Sequence, residues 1–314
     1  MHQLTRAQLI AGAAAAAALA PRLAFGQTVE KIRFGGVPTD DLTPIFYAIK
    51  NGLYQKAGLD VEFAPTSSGT AATTAVISGA YEMGKGSLIA SLLAHIRQLP
   101  LVIVGNGALW DAKNPFTQIF VAADSPYKTA PDLNGKTASS PALNDLGELG
   151  ILAWMDKNGG DSKTLKWVEI PNSVAAVSVA EHRTDVCTLN EPQLHAALES
   201  GKLRVVGDLG AVADHFSITV YFANGDWAAK HPDLVKRWVR VTYEAAAYTN
   251  THKAETVAMM SEITKIPAAV FSKMYRVDAA TTSDPSLVQA ALDTAAKYKN
   301  VPRSFPAKDA FFTG

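Results

Sequence analysis

The sequence is poor in the residues that build covalent or metal-bound frameworks. Cys187 is the only cysteine among 314 residues, which excludes an intrachain disulfide and a cysteine-based metal cluster. Basic and acidic side chains both number 29, so no excess of positive charge indicates a nucleic-acid-binding surface. The seven histidines are scattered, and the sequence lacks the catalytic patterns His-Glu-x-x-His and Gly-x-Ser-x-Gly. The composition therefore indicates a globular protein that is stabilised by its apolar core.

The beginning of the chain has the order of a secretory signal peptide. Arg6 precedes an apolar run at residues 9–20, and the small residues Ala24 and Gly26 follow. This run is shorter than the roughly 20 residues needed to cross a bilayer. We therefore expect residues 1–26 to be a signal peptide, with export to the periplasm and cleavage just before Gln27.

Strand-like and helix-like segments alternate after this point. Residues 32–34 and 59–63 alternate apolar and charged side chains as strands do, and Thr43 followed by Pro44 is typical of a helix start. Strands separated by helices of this length predict a parallel-rich sheet that is covered on both faces. Cys187 lies in the apolar, strand-like run DVCTLN and is predicted to be a small buried residue rather than a nucleophile.

A weak internal repeat predicts that this arrangement occurs twice. Three dipeptides recur in the same order: Asp41-Leu42, Asn51-Gly52 and Val61-Glu62 are followed by Asp145-Leu146, Asn158-Gly159 and Val168-Glu169. We therefore expect an α/β fold with two doubly wound lobes of parallel-rich sheet, flanked by helices and joined by two crossing strands.

The two predicted lobes divide the chain unequally. Residues 27–120 plus 221–314 are expected to form one lobe, and residues 121–220 the other. The extended segments 116–124 and 217–226 bracket the second copy of the repeat and are the expected crossings. A ligand cleft in such a fold is lined by strand-exit loops and helix N-termini.

Several longer segments resemble a known protein family. They are DDLTPIFYAIKNGLYQKAGLDVEF, LNGKTASS, TDVCTLNEPQLHAALESGKLRVVGDLG, FANGDWAAKHPDLVKRWVRVTYEAAAYTN and VPRSFPAKDAF. In this order they are similar to the solute-binding proteins of nitrate, sulfonate, taurine and thiamine-pyrimidine ABC importers, over essentially the whole chain after the signal. The resemblance implies a type II periplasmic-binding fold, one bound small molecule, hinge closure on binding, and delivery to the membrane subunits of an ABC permease.

The resemblance leaves other functions to be weighed. A periplasmic ligand sensor that reports to a receptor would have the same sequence features. A pyrimidine-synthesising enzyme of the thiamine pathway shares the superfold, but it uses a histidine, a cysteine cluster and a pyridoxal cofactor, whereas this chain has one cysteine and a predicted export signal. We therefore expect a monomeric, non-enzymatic binding protein that needs no cofactor or metal and binds no nucleic acid.

The candidate ligand residues lie at predicted strand exits, helix starts and crossings. They are Asp40, Asp41, Ser67, Ser68, Gly69, Thr70, Ser87, Trp110, Ser140, Asn144, Asn190, Glu191 and Tyr221. Hydroxyls and backbone N–H groups at helix starts hold polar or anionic atoms, but they also serve as ordinary caps. The two aromatic side chains could stack on a flat ligand or pack in the core.

The adjacent carboxylates Asp40 and Asp41 have two interpretations. In one, Asp41 or Thr43 caps the following helix and Asp40 is solvated, since acidic residues near a helix N-terminus are favoured by its dipole. In the other, one carboxylate accepts a hydrogen bond from the ligand. A catalytic acid pair is not supported, because no nucleophile or base pattern accompanies them.

The charge of the ligand is also open. The candidate loops contain no arginine, the residue best suited to bidentate capture of a sulfonate or carboxylate. This favours a heterocycle or another neutral or cationic organic molecule. However, Lys85, which stands where many relatives of the resembled family have a neutral or acidic residue, and the helix N-termini could together hold an anion.

We expect mass spectrometry of protein recovered from the periplasm to show a mature chain that begins at Gln27. The reason is the charged, apolar and small-residue order of residues 1–26. A periplasmic chain that still begins with Met1 would contradict this expectation.

Overall fold

Two five-stranded sheets, each flanked by helices, dominate the computed structural model, which describes residues 30–314. The predicted signal peptide and its cleavage site lie outside the described residues. Within residues 30–314, no helix combines the length and the apolar character that are needed to cross a membrane.

Strands and helices alternate along most of this range. The strands are β1 (Glu30–Gly36), β2 (Leu59–Pro65), β3 (Met83–Ser87), β4 (Leu101–Asn106), β5 (Ala108–Asp111), β6 (Thr117–Ala122), β7 (Thr137–Ser140), β8 (Lys166–Glu169), β9 (Val186–Asn190), β10 (Leu203–Asp208), β11 (His215–Ser217), β12 (Thr219–Asn224) and β13 (Asp278–Ala279). The α-helices are α1 (Thr43–Lys50), α2 (Leu53–Lys56), α3 (Gly69–Ile77), α4 (Leu88–Ile96), α5 (Leu146–Lys157), α6 (Asn172–Ala180), α7 (Gln193–Ser200), α8 (Gly225–Lys230), α9 (Pro232–Thr251), α10 (Val257–Thr264), α11 (Ala268–Phe271) and α12 (Ser286–Lys297).

Each large sheet combines parallel and antiparallel pairs. The first, which with its helices we call lobe 1, has the order β2-β1-β3-β12-β4, with β1 and β3 parallel and β12 antiparallel to both of its neighbours. The second, lobe 2, has the order β10-β6-β9-β7-β8, with β7 parallel to β8 and β9, and with β6 antiparallel to β9 and β10. The predicted fold class, two parallel-rich α/β lobes, is confirmed.

The lobes are connected through a small third sheet of order β11-β5-β13. Strand β5 leads from lobe 1 to lobe 2, β11 leads back, and the two pair antiparallel. The predicted crossing segments contain β6 and β12, which belong to the large sheets, so the crossings occur earlier along the chain. The predicted lobe boundaries after residues 120 and 220 fall inside these two strands.

Lobe 1 is centred on an aromatic cluster beneath the long helix α9. Trp238 of this helix is fully buried and stacks on Phe34 with ring centroids 5.3 Å apart. Tyr54 stacks on the same indole at 6.2 Å, and Tyr221 meets it edge-on at 5.3 Å. Because these four rings come from β1, α2, α9 and β12, the cluster ties distant parts of the chain together.

Lobe 2 has an apolar core on each face of its sheet. Along β6, Ile119 and Val121 pack on one face, while Phe120 and Ala122 pack on the other with Cys187. This is the alternation that a strand covered on both faces requires. Burial raises the pKa of the Cys187 thiol to about 12, so the thiol is a small packing group, as predicted.

We expect Trp238→Ala to lower the free energy of unfolding by about 3–5 kcal/mol, because it leaves a cavity among three other rings. Chemical denaturation followed by circular dichroism measures this loss. Leu198→Ala is the control, since Leu198 is 42% exposed and its truncation should cost less than about 0.5 kcal/mol. Equal losses in the two variants would contradict the proposed role of the aromatic cluster.

Candidate functional site

A cavity of about 150 Å³ lies where the strand ends of lobe 2 meet the crossing strands. It is lined by Phe116, Thr117, Pro141, Asp145, Leu146, Gly147, Asn172, Thr188, Asn190, Leu209 and Ile218. Thr117 and Asn190 are register partners in β6 and β9, so their side chains are brought together by strand pairing. The first turns of α5 and α6 complete the wall. Strand ends and helix N-termini therefore converge here, as in other α/β ligand sites.

The first turn of α5 supplies a buried carboxylate. Asp145 caps this helix by accepting the Glu148 backbone N–H at 2.9 Å, and it accepts the Ser140 hydroxyl at 2.5 Å. Burial raises the pKa of Asp145, although these hydrogen bonds act in the opposite direction. Gly147 allows the helix to approach β9, because a Cβ atom there would lie 2.5 Å from Thr188 Oγ1.

Glu148 lies next to this carboxylate. Burial raises the pKa of Glu148, the negative charge of Asp145 adds to this effect, and the Asn144 backbone N–H opposes it by donating a hydrogen bond at 2.7 Å. Asn144 has a φ of 61°, in the left-handed region that asparagine tolerates better than most residues. The backbone of Asn144, rather than its exposed side chain, thus takes part in the site.

Two asparagine side chains form the polar wall of the cavity. Asn172 Nδ2 donates to Asn190 Oδ1 at 2.9 Å. This bond leaves the Nδ2 group of Asn190 as a donor and the Oδ1 atom of Asn172 as an acceptor. The pair can therefore bind a ligand edge that carries an acceptor beside a donor.

Lobe 1 contributes a neutralised charge pair near the crossing. Lys85 Nζ lies 2.7 Å from Asp41 Oδ2 and donates to Thr39 Oγ1 at 3.1 Å, and the Lys85 and Asp41 side chains are only 10% and 8% exposed. Thr219 Oγ1 donates to the same Asp41 oxygen at 3.3 Å, and Thr219 directly follows the cavity residue Ile218. Because the ammonium and the carboxylate compensate each other, this wall carries little net charge.

Asp40 is occupied within the protein. Its Oδ1 atom lies 2.7 Å from Arg276 Nη2 and accepts Arg276 Nε–H at 2.8 Å, while Oδ2 accepts the Val277 backbone N–H at 2.8 Å. The side chains of Asp40 and Arg276 are each 8% exposed. The interpretation in which Asp40 is solvated is therefore wrong, because its carboxylate binds Arg276 and Val277 and so holds this part of the chain at the start of α1.

The serine-rich helix starts of lobe 1 have separate roles. Ser68 caps α3 by accepting the Ala71 backbone N–H at 3.1 Å, with Ser67, Gly69 and Thr70 beside it at or near the surface. Ser87 precedes α4 without a side-chain capping bond. It adjoins the cavity wall, because the next residue donates its backbone N–H to the carbonyl of Ile218 at 3.1 Å.

The structure places both candidate aromatic residues in the core. Trp110 is fully buried, packs 5.8 Å from Phe216, and donates its indole N–H to the Thr117 carbonyl at 3.4 Å. Tyr221 is 1% exposed within the aromatic cluster of lobe 1, where burial raises the pKa of its hydroxyl. Both rings are enclosed by apolar side chains, so the structure shows them in the second of the two roles that the sequence left open, packing in the core.

A larger groove of about 680 Å³ lies between α6 and α7 on the outside of lobe 2. Its walls include Ala176, Ala180, Ala196 and Val177. Its lining includes no residue of the crossing strands or next to them, and most of its lining residues come from these two helices. We therefore take the smaller cavity as the candidate site.

Residues 39–256 match the family described as NMT1/THI5 like. The chain belongs to this family. A 4-amino-5-hydroxymethyl-2-methylpyrimidine phosphate synthase of Schizosaccharomyces pombe is 20% identical over 215 residues, which are 64% of this chain and 60% of that protein. The alignment thus spans less than two thirds of this curated relative.

Solved structures with the same fold include two periplasmic proteins. The aliphatic sulphonate binding protein SsuA of Escherichia coli has a TM-score of 0.74 and 19% identity, and the match covers 91% of this chain and 93% of that chain. The nitrate-binding protein NrtA of Synechocystis PCC 6803 has a TM-score of 0.72 and 16% identity, with 90% and 84% covered. These matches confirm the predicted type II periplasmic-binding fold and the resemblance to this class of proteins.

Sequence reasoning found only part of the site in this NMT1/THI5-like protein. Of the predicted residues, Asn190 lines the cavity and Ser140 holds a cavity carboxylate. Thr117, Thr188 and Asn172 were missed. Asn172 could have been found from the repeat, because it stands beside Pro171 at the start of the helix that follows the second copy.

We expect Asp145→Asn to gain stability relative to the wild type as the pH rises from about 4 to 7. The folded pKa of Asp145 is raised, so its contribution to stability is complete below the usual aspartate pKa and is lost as the pH rises through the folded pKa. Thermal melts at several pH values measure the difference between variant and wild type.

Asp132→Asn is the control, because its stability relative to the wild type should change with pH in the opposite direction. Hydrogen bonds from the Thr129 and Lys128 backbone lower the pKa of Asp132, so its contribution is present above the usual pKa and is lost as the pH falls. This variant should lose relative stability as the pH rises towards about 5, and its stability relative to the wild type should then stay constant up to about pH 7. Parallel pH trends in the two variants would contradict the assignment.

Proposed function

We propose that this protein is a periplasmic solute-binding protein that captures a small organic molecule between its two lobes and delivers it to an ABC permease. The observation that carries the proposal is a cavity at the crossing of the lobes, lined by the strand ends and helix starts of a fold shared with SsuA and NrtA. A ligand that contacts both lobes favours the closed arrangement over the open one, which is the basis of hinge closure. The export expected from residues 1–26 supports a periplasmic location for this function.

Binding without turnover is supported by the side chains near the cavity. Its lining contains neither histidine nor cysteine, and the Cys187 thiol is buried in the lobe 2 core. Two pyrimidine phosphate synthases are 20% and 25% identical to this chain, and the chain has no second cysteine from which a cysteine cluster could be built.

The ligand is proposed to be neutral, with a hydrogen-bond acceptor next to a donor, as in an amide or a nitrogen heterocycle. The Asn172 and Asn190 side chains present the complementary donor and acceptor. Lys85 is compensated by Asp41, and Asp145 is already held by hydrogen-bond donors. Phe116 and other apolar side chains of the lining would pack against the body of the molecule.

A thermal-shift panel of pyrimidines, other heterocycles, amides, aliphatic sulfonates, nitrate and aromatic acids tests this assignment. Neutral heterocycles or amides should raise the melting temperature, because a ligand at 100 times its dissociation constant stabilises a protein by about 2.7 kcal/mol. Calorimetry should then show one site, and Asn190→Ala should weaken binding at least about tenfold, or 1.4 kcal/mol. Analysis of the released ligand should show that it is chemically unchanged.

Asn51→Ala is the matched control, because its exposed side chain donates to the Tyr47 carbonyl at the end of α1 and does not line the cavity. It should bind as tightly as the wild type. If only sulfonates or carboxylates stabilise the protein, and Lys85→Ala abolishes that effect while Asn190→Ala does not, the ligand assignment is wrong. A ligand that is converted to a product would contradict the binding function itself.

A further inference from the structure

A short stretch of lobe 1 reaches towards lobe 2 beside the cavity. Phe271 and Met274 are 1% and 6% exposed in the core of lobe 1, and Arg276 is held there by its ion pair with Asp40. These three anchors fix the segment 271–276 to lobe 1. Lys273 and Tyr275, which lie between these anchors, make polar contacts with lobe 2.

The facing surface of lobe 2 presents three residues at a spacing of four. Glu191, His195 and Glu199 lie along one face of α7 and the residues before it. Glu191 Oε1 accepts the Tyr275 backbone N–H at 3.0 Å, and its Oε2 accepts the His195 backbone N–H at 3.1 Å. Glu199 Oε1 lies 3.0 Å from Lys273 Nζ and 3.2 Å from His195 Nε2. Two carboxylates of lobe 2 thus connect to one segment of lobe 1.

The two contacts differ in strength. The Lys273 and Glu199 side chains are 63% and 55% exposed, so water screens their attraction. Glu191 is half-buried, and burial raises the pKa of its carboxyl group, while the N–H groups of Tyr275 and His195 counteract that shift. A charge-assisted hydrogen bond from a backbone N–H to a half-buried carboxylate is the stronger contact, even though Tyr275 is 40% exposed. Glu191 is therefore the dominant link between the segment and α7.

Glu191 is also adjacent in sequence to a residue of the candidate site. Asn190, the preceding residue, lines the cavity and pairs with Asn172. The hydrogen bond between Glu191 and the Tyr275 backbone thus fixes the end of β9 relative to lobe 1. Both Glu191 oxygens have partners within the protein, which leaves this carboxylate a positioning role instead of the ligand contact expected from the sequence.

We propose that Glu191 is an interlobe latch: by accepting the Tyr275 backbone N–H, it holds the α7 side of lobe 2 against lobe 1 and sets the separation of the lobes. The Glu199–Lys273 pair adds a weaker, salt-sensitive contact. The effect of the latch on lobe separation does not require a ligand. Any effect of the latch on ligand affinity rests on the proposed function.

Distance measurements between spin labels in the ligand-free full chain test the latch. Lys50→Cys in lobe 1 and Lys163→Cys in lobe 2 supply exposed labelling sites, while the buried Cys187 thiol, with its pKa of about 12, does not compete for the label. Glu191→Ala should move the distance distribution to longer values and broaden it. Glu199→Ala should cause a smaller change, and high salt should remove the difference between Glu199→Ala and the wild type.

Asp185→Ala is the matched control. Asp185 also accepts two hydrogen bonds, from the Thr137 backbone N–H at 2.8 Å and the Tyr127 hydroxyl at 2.7 Å, but all three residues belong to lobe 2. This variant should melt at a lower temperature and keep the wild-type distance distribution. A role of Glu191 limited to capping α7 would produce the same pattern in Glu191→Ala, so an unchanged distribution there overturns the latch.

A second variant keeps the test decisive if Glu191→Ala does not fold. Glu191→Gln retains one acceptor oxygen and the shape of the side chain, so it should give a distribution between those of the wild type and the fully unlatched protein. Circular dichroism establishes that each variant is folded. A wild-type distribution in folded Glu191→Gln and Glu199→Ala, alone and combined, would overturn the proposal, whether or not a ligand for the cavity has been found.

Discussion

The antiparallel pairing of β5 with β11 is the constraint on which the arrangement of the two lobes depends. It joins Trp110 to Phe216 and places both rings in the core beneath the crossing. Each crossing strand then leads into a strand that lies inside a large sheet, β6 in lobe 2 and β12 in lobe 1. The cavity residues Thr117 and Ile218 lie at these two transitions, so the position of the candidate site follows from the crossing.

Charge compensation is the second feature of this region. The ring of Phe222 packs closely against Gly84 and Gly86 of β3, where a Cβ atom would lie 2.9 or 3.0 Å from the ring. Because side chains alternate along a strand, Lys85 between them lies on the opposite face. The ammonium group is then matched by Asp41, as Arg276 is matched by Asp40. Breaking a buried pair leaves an uncompensated charge, which is strongly destabilising. These pairs therefore fix the loop between β1 and α1 and compensate the buried charges there.

The fold could be predicted from the sequence to a greater extent than the site. Local patterns were sufficient for α1 with its Pro44, for α3 with its Ser68 cap, and for the burial of Cys187, because each depends on neighbouring residues. The partners of Asp40 and Glu191 could not be predicted, because Arg276 and Tyr275 are 236 and 84 residues away in the sequence. The crossings were misplaced by several residues, because β6 and β12 are as extended and apolar as the crossing strands themselves. Long-range pairing decides such cases, and a single sequence contains little information on it.

The central claim is that one neutral molecule binds the asparagine pair between the lobes. Nuclear magnetic resonance of side-chain amide groups, during titration with the compound that gives the largest thermal shift, tests this claim most directly. The account predicts that the Asn190 Nδ2H₂ signals move and reach saturation at one molecule per chain, while those of the exposed Asn51, which does not line the cavity, stay in place. Signals of Asn190 and Asn172 that remain unchanged at saturation would contradict it.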